Sequence, residues 1–311
     1  MHKKFIITVD TEGDNLWDWR KGQAITTRNT KFLPRFQELC EEYGFIPTYL
    51  TNYEMAMDDE WVQYGKKKVG DKKCEIGMHI HAWNSPPEHE LIDVYGGNPY
   101  ITEYPEEIVY EKIEYLTNLL EARFEVKMSS ARSGRWATDD TFFHSLVKNG
   151  YQVDCSITPD IDLSHLPGRT ERHGNDYSGC PLRAYEIIPG LIELPMTTQK
   201  VRWMRVGTLK QRIKGLVFGK PVWLRVLNSS IENQIALTDR LEQKGITYLE
   251  FMIHSSELMP GGNPYHVDEQ AIDKLFSNLE TYFHEIASRG YKGYSLTEGA
   301  MEEYEHSREN Y

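Results

Sequence analysis

Runs of β-branched and aromatic residues alternate along the chain with stretches whose apolar positions recur every three to four residues. That alternation is the mark of repeated βα units. Residues 4–9 (KFIITV) read as a first strand. Phe32, Phe36, Leu39, Cys40 and Tyr43 then stripe one face of a helix, and Gly44 supplies its stop before a second strand over 45–50. Residues 74–82 predict a third strand, and Val109, Ile113, Leu116 and Leu120 predict a long helix over about 106–124. Further strands are predicted over 126–131, 151–156, 191–195, 246–254 and 291–296. Between them lie a helix opened by Asp139-Asp140, one carrying Ile231, Ile235 and Leu241, and one striped by Ile272, Leu275, Leu279, Phe283 and Ile286. Seven or eight such units without a break in composition predict an α/β fold: one distorted, TIM-barrel-like (β/α) barrel of parallel strands over residues 1–311.

Two stretches depart from this rhythm. Residues 159–190 are rich in Pro, Gly, Asp and Arg without period, which predicts an irregular excursion of the kind that lines sites. Residues 200–226 carry Lys200, Arg202, Arg205, Lys210, Arg212, Lys214, Lys220 and Arg225, and no acidic residue stands between Glu193 and Glu232. Trp203, Met204, Phe218 and Trp223 are interleaved with these cations. Mixed cations and large apolar groups suit an anionic membrane surface or a lipid-linked glycan precursor. A solvated basic loop is the plainer alternative.

Charge and composition narrow the partners. Lys and Arg number 35 against 47 Asp and Glu, a formal charge of −12, which argues against a nucleic-acid backbone. Hydrophobic residues at 40% supply a core at this length. No run approaches the ~20 apolar residues that span a bilayer, and Met1-His2-Lys3-Lys4 leads into a β-type run rather than a signal sequence. The expected location is therefore cytoplasmic, with any membrane contact peripheral. Cys40, Cys74, Cys155 and Cys180 show no paired spacing and are expected to be free thiols, mostly in the core.

In a barrel of parallel strands the working residues sit at the carboxyl ends. Those ends read Thr8-Val9-Asp10-Thr11-Glu12, Gly77-Met78-His79-Ile80-His81-Ala82-Trp83, Ala131-Arg132-Ser133-Gly134-Arg135, Val153-Asp154-Cys155-Ser156 and Met252-Ile253-His254-Ser255-Ser256-Glu257. Side chains alternate across a strand, so Asp10 and Glu12 can face one way, as can His79 and His81. Two carboxylates and two imidazoles form a donor set that suits Zn²⁺ or another first-row metal with a position left for water.

The same residues resemble, in order, the motifs of polysaccharide deacetylases of carbohydrate esterase family 4, over Thr8 to about Leu296. The family's T-F-D-D is similar to Thr8-Val9-Asp10-Thr11-Glu12, which implies Asp10 as general base and Glu12 as a metal ligand in place of an Asp. Its E-I-G-H-S/T-x-x-H resembles Glu75-Ile76-Gly77-Met78-His79-Ile80-His81-Ala82-Trp83. The second metal histidine would fall at Trp83, so His81 is its expected replacement beside His79. R-x-P-x-G is matched loosely by Arg132-Ser133-Gly134-Arg135-Trp136, with Arg132 orienting the base. D-x-S-x-x-P is met by Asp154-Cys155-Ser156-Ile157-Thr158-Pro159, and L-x-H resembles Phe251-Met252-Ile253-His254. The resemblance implies His254 as general acid and Asp154 as its tuning partner.

The expected activity is metal-dependent removal of N-acetyl groups from an amino sugar in a polysaccharide or glycan precursor. A non-sugar amide or cyclic ureide is the alternative substrate, and a barrel retained for binding alone is the other alternative. Ser255-Ser256 lacks a G-x-S-x-G elbow, which sets aside a serine hydrolase. His89, His165, His173 and His266 read as loop histidines without partners at ligand spacing. Trp83, Trp136, Tyr95, Tyr100 and Tyr265 are candidates for stacking on sugar rings.

Overall fold

The nine-residue strand β1 (Lys3–Thr11) is buried from Lys4 to Thr11 and pairs with three other strands. One face carries the apolar Phe5, Ile7 and Val9 and the other sets Ile6 among Lys4, Thr8 and Asp10, and both are covered. A computed structural model describes residues 2–17, 19–20, 22–170, 174–201, 219–225 and 230–309. After β1 come α1 (Leu33–Glu42), β2 (Pro47–Thr51), α2 (Tyr53–Met57), α3 (Asp59–Gly70), β3 (Glu75–Ile80), α4 (Glu106–Phe124), β4 (Ser130–Ser133), α5 (Asp140–Lys148) and β5 (Val153–Asp154). There follow β6 (Tyr185–Ile188), β7 (Leu191–Glu193), β8 (Thr198–Val201), β9 (Lys220–Trp223), α6 (Ile231–Gln243), β10 (Tyr248–His254), α7 (Glu269–Ser288), β11 (Tyr291–Tyr294) and α8 (Leu296–Glu309).

The main sheet runs β10-β1-β2-β3-β4-β5-β7-β6, with β11 also on β1; every pairing is parallel except β6 with β7. It curls into a distorted (β/α) barrel. Between β7 and β10 the join is made by isolated bonds: the Tyr248 hydroxyl donates to Pro195 O at 2.9 Å and Glu250 N to Thr197 Oγ1 at 2.8 Å.

Strand parity divides the side chains into two sets. Phe5, Ile7 and Val9 point outward into a large cluster with Phe36, Phe251 and Phe283, under the helices. Ile6 points inward to a smaller cluster with Leu50, Val153, Cys155, Ile192 and Tyr248. Fully burying each such aliphatic or aromatic side chain contributes about 1.5–3 kcal/mol. α8 adds Leu296 and Ala300 to the inner cluster, and a Cβ on its Gly299 would stand 2.6 Å from Ile6 Cδ1. The helix therefore plugs the amino end of the barrel. The carboxyl end is left to Thr8, Asp10 and the residues in register with them.

Some elements differ from the sequence pattern. The strand expected over 126–131 forms at Ser130–Ser133, because α4 ends on Glu125 in the left-handed region and the next residues carry the chain back to β3. Two helices the apolar period does not reveal, α2 and α3, are each opened by a side-chain cap: Asn52 accepts from Met55 N and Asp58 from Trp61 N. The four cysteines are unpaired, three of them buried. Most of the basic segment, with Arg202, Arg205, Lys210, Arg212 and Lys214, lies outside the described residues, as does His173. Among the described residues no helix is long and apolar enough to cross a membrane.

Candidate metal centre and active site

Because β1 and β3 run parallel with one strand between them, their carboxyl ends bring Glu12, His79 and His81 together. Their donor atoms all lie within 4.8 Å of one another and all three residues are buried. Glu12 Oε2 is 3.4 Å from His79 Nε2 and 3.2 Å from His81 Nε2. His79 pairs in register with Arg132, and its Nδ1 donates to the Arg132 carbonyl at 3.2 Å. In the neutral ring that leaves the Nε2 lone pair toward Glu12, the orientation typical of a metal-binding histidine. Burial and the neighbouring His79 push the His81 imidazole down to about 3, which keeps it a neutral donor. Gly134 permits its approach, since a Cβ there would stand 2.2 Å from His81 Cδ2. The donor set and its packing thus fit a divalent metal.

The Glu12 backbone is pinned from two sides. Asn29 Nδ2 donates to Glu12 O at 2.8 Å and to Ser255 Oγ at 2.7 Å, while Glu12 N donates to Ser255 Oγ at 3.1 Å. Asn29 was not legible as a site residue, because its partners, the Glu12 carbonyl and the Ser255 hydroxyl, are brought to it only by the fold.

Asp10 lies beside this trio, with Oδ2 3.9 Å from His79 Nε2 and 3.8 Å from His254 Nε2. Arg132 Nη1 donates to Asp10 Oδ1 at 2.6 Å and to Thr8 Oγ1 at 3.0 Å, Nη2 to Glu250, and Nε to Cys155 O at 3.2 Å. Burial alone would raise the Asp10 carboxyl; Arg132 and the two imidazoles outweigh it and hold Asp10 well below the usual carboxylate range. Glu250, sharing the same guanidinium, is pushed up to about 7 by burial, against the pull of Arg132.

His254 is not tuned by Asp154. Its Nδ1 faces Glu257 Oε1 at 2.7 Å, and Arg225 donates to that same oxygen. Burial disfavours charging His254, but the Glu257 bond and the nearby carboxylates of Glu12 and Glu257 raise its imidazole above the ordinary value. Asp154 pairs in register with Ala131 and Glu193, one residue out of step with Arg132, and so takes the opposite face of the sheet from Asp10. It accepts from Ser156 N at 3.0 Å and Ser156 Oγ at 2.8 Å and lies against Glu193. Glu257 follows His254 by three residues, a spacing at which a one-turn 3₁₀ segment (Ser255–Leu258) returns the carboxylate to the ring.

Asp10, Glu12, His79, His81 and His254 line a cavity of about 280 Å³ with Trp17, Trp83, Asn98, Arg135 and Trp136. Trp83 stacks on His81 with centroids 4.2 Å apart, and Trp136 covers the Arg132 guanidinium at 4.8 Å. Arg135 and Trp136 both adopt positive φ, 57° and 60°, a conformation that costs a non-glycine residue free energy and is found where a site needs it. Tyr100 is buried beneath Arg135 at 3.8 Å and supports the wall, whereas Tyr95 and Tyr265 are exposed. His165 is exposed, but His266 is buried, with Nδ1 3.3 Å from Asn263 Nδ2, and is no solvated loop histidine.

No protein-family model and no curated protein matches the chain. Among solved structures, a Mycobacterium smegmatis protein assigned as a polysaccharide deacetylase aligns with a TM-score of 0.54 at 12% identity, covering 99% of this chain and 92% of that one. A 4-α-glucanotransferase from Thermococcus litoralis aligns with a TM-score of 0.57 at 10% identity, covering 98% of this chain and 41% of that one. At such identity the likeness is one of fold, and it is the fold that the motif resemblance implies.

Proposed function

We propose that the protein is a metal-dependent hydrolase that removes N-acetyl groups from an amino sugar of a glycan or glycan precursor. The observation that carries this reading is one cavity wall holding a buried Glu-His-His donor set, an ionised aspartate fixed by an arginine, and a carboxylate-backed histidine. Glu12, His79 and His81 would hold the metal, for which Zn²⁺ is the natural choice given the donors. When bound, such an ion supplies Lewis acidity for the amide carbonyl and for water. Asp10, kept charged by Arg132, accepts the proton of the attacking water. His254, whose proton affinity Glu257 raises, delivers a proton from Nε2 to the departing amine nitrogen as the C–N bond breaks.

Two measurements test the proposal together. Metal analysis after purification without chelator is expected to give one first-row metal per chain, and His81→Ala to lose it. A panel of N-acetylated sugars and small amides, read as acetate or ammonia release, is expected to show acetate from the sugars. Release from small amides or ureides alone would transfer the site to the alternative substrate class. Absence of both metal and turnover would leave a binding barrel.

A further inference from the structure

β8 and β9 form an antiparallel pair of their own, and the chain leaving β9 returns to the barrel at the seam between β7 and β10. Leu224 N donates to Thr197 O at 2.9 Å, and Leu224 O accepts from Met252 N at 3.2 Å. Gln234 of α6 fixes the same turn, its Nε2 donating to Trp223 O at 3.2 Å and to Arg225 O at 2.7 Å. Trp223 meets Trp136 of the catalytic cavity with centroids 5.2 Å apart. The end of the basic segment is thereby set into the barrel wall, and Arg225 comes to lie beside His254.

Arg225 Nη2 donates to Glu257 Oε1, the oxygen that His254 Nδ1 meets at 2.7 Å, and stands 3.2 Å from Nδ1 itself. Two N–H donors thus share one acceptor. Burial alone would raise the Glu257 carboxyl; Arg225 leads the groups that pull it below its ordinary value. The anions that face His254 are Asp10 and Glu12 from the end of β1 and Glu257 from its own 3₁₀ turn. The imidazoles of His79 and His81 lie across the cavity, and Trp17 packs edge-on at 5.4 Å without adding charge. Arg225 is the permanent cation of this set. It stands in none of the segments that resemble the family motifs.

We infer that Arg225 is a positioning residue of the catalytic acid: by sharing Glu257 Oε1 with His254, it fixes the carboxylate against Nδ1 and so aims Nε2 at the departing nitrogen. A carboxylate that serves two cations also binds each less tightly than it would bind one, so the acid releases its Nε2 proton more readily. The inference rests on the reading of His254 as general acid.

Arg225→Met, Arg225→Lys, Glu257→Gln and the double variant Arg225→Met/Glu257→Gln are to be compared on methyl N-acetylglucosaminide and on 4-nitrophenyl acetate across pH. Arg225→Met is expected to lower kcat on the amide by about 10–100-fold, with KM and the aryl ester rate each within about threefold. Its basic limb should move to higher pH by about half a unit or more, the reverse of Glu257→Gln. Arg225→Lys returns a cation to Glu257 and should come within about fivefold of the wild type. In the double variant the Arg225 substitution should cost less than about twofold beyond Glu257→Gln alone, because Arg225 acts through that carboxylate. Equal losses on both substrates, a limb that stays or moves to lower pH, no recovery in Arg225→Lys, or additive losses would overturn the assignment. Should Arg225→Met fail to fold, the double variant, which leaves no carboxylate unpaired there, decides against Glu257→Gln. If the wild type hydrolyses no N-acetyl sugar, the deacetylase reading fails by itself. NMR titration of the His254 ring in the metal-free protein then decides: a midpoint about half a unit or more higher in Arg225→Met upholds the role of Arg225, and an unchanged or lower one removes it.

Discussion

Asp10 and Asp154 lie near the carboxyl ends of β1 and β5, with three strands between them in one sheet, and both are sealed from solvent, yet their carboxyls are shifted in opposite directions. Burial raises both carboxyls. On the inner face Asp10 meets the Arg132 guanidinium and two imidazoles, which together drive it far below its ordinary value. On the outer face Asp154 meets Ser156 and a second carboxyl, Glu193; the hydroxyl and amide bonds do not offset burial, and both acids are raised. A one-residue difference in strand register therefore decides which acid is held charged and which is pushed toward its neutral form. Two carboxyls this close cannot both ionise cheaply, whereas a carboxylate beside a guanidinium does so readily.

The largest effects should come from the inner face. Asp10→Asn preserves an acceptor for Arg132, so metal content should stay stoichiometric while kcat falls by about a thousandfold or more; His79→Ala and His81→Ala should lose metal and activity together. Metal loss in Asp10→Asn would make Asp10 a ligand instead. His254→Ala should abolish amide hydrolysis and spare an activated aryl ester, whose leaving group departs without a proton. Equal losses on both would remove His254 from the acid role.

Smaller, and aimed at the comparison itself, is the contrast between Glu257→Gln and Asp154→Asn. Glu257 helps to hold the imidazole charged, so its loss should lower kcat by about 10–100-fold. An acid is lost as pH rises through its pKa, and removing Glu257 lowers that pKa, so the basic limb of the pH–rate profile should move to lower pH. Asp154→Asn should leave rate and limb within about threefold. A larger loss in Asp154→Asn than in Glu257→Gln would break the assignment by parity.

Much of this arrangement was legible in the sequence. Period-2 alternation placed Asp10 with Glu12 and His79 with His81, and the βα rhythm placed all four at one end of a barrel. The role expected for Asp154 was not fulfilled because register is a property of strand pairs: nothing in Val153-Asp154-Cys155 tells which side chain follows Arg132 inward. Glu257 was visible three residues beyond His254, but its role requires the single 3₁₀ turn and the distant Arg225. Glu250 reads as one polar residue in an apolar strand, an anomaly that could have signalled an inward charge; its partners Thr8 and Arg132 come from other strands.

The smallest expected effect is thermodynamic and has opposite signs at the two aspartates. Asp10 has a depressed folded value, so its stabilisation is fully present above the unfolded carboxylate range near 4 and is lost only as pH falls below it. Between pH 5 and 8 the deficit of Asp10→Asn against the wild type should stay constant. Asp154 and Glu193 have raised folded values, so the native state binds more protons than the unfolded chain above pH 4, and the wild type loses stability as pH rises. Asp154→Asn replaces one of the two acids by an amide that can donate to Glu193. Its Tm relative to the wild type should therefore climb by a few °C, about one or two kcal/mol, between pH 5 and pH 8. Melting curves of the metal-free proteins at both pH values read this directly. A gap that stays flat for Asp154→Asn, or one that closes for Asp10→Asn over the same range, would show that the two faces do not differ in the way their charges are held.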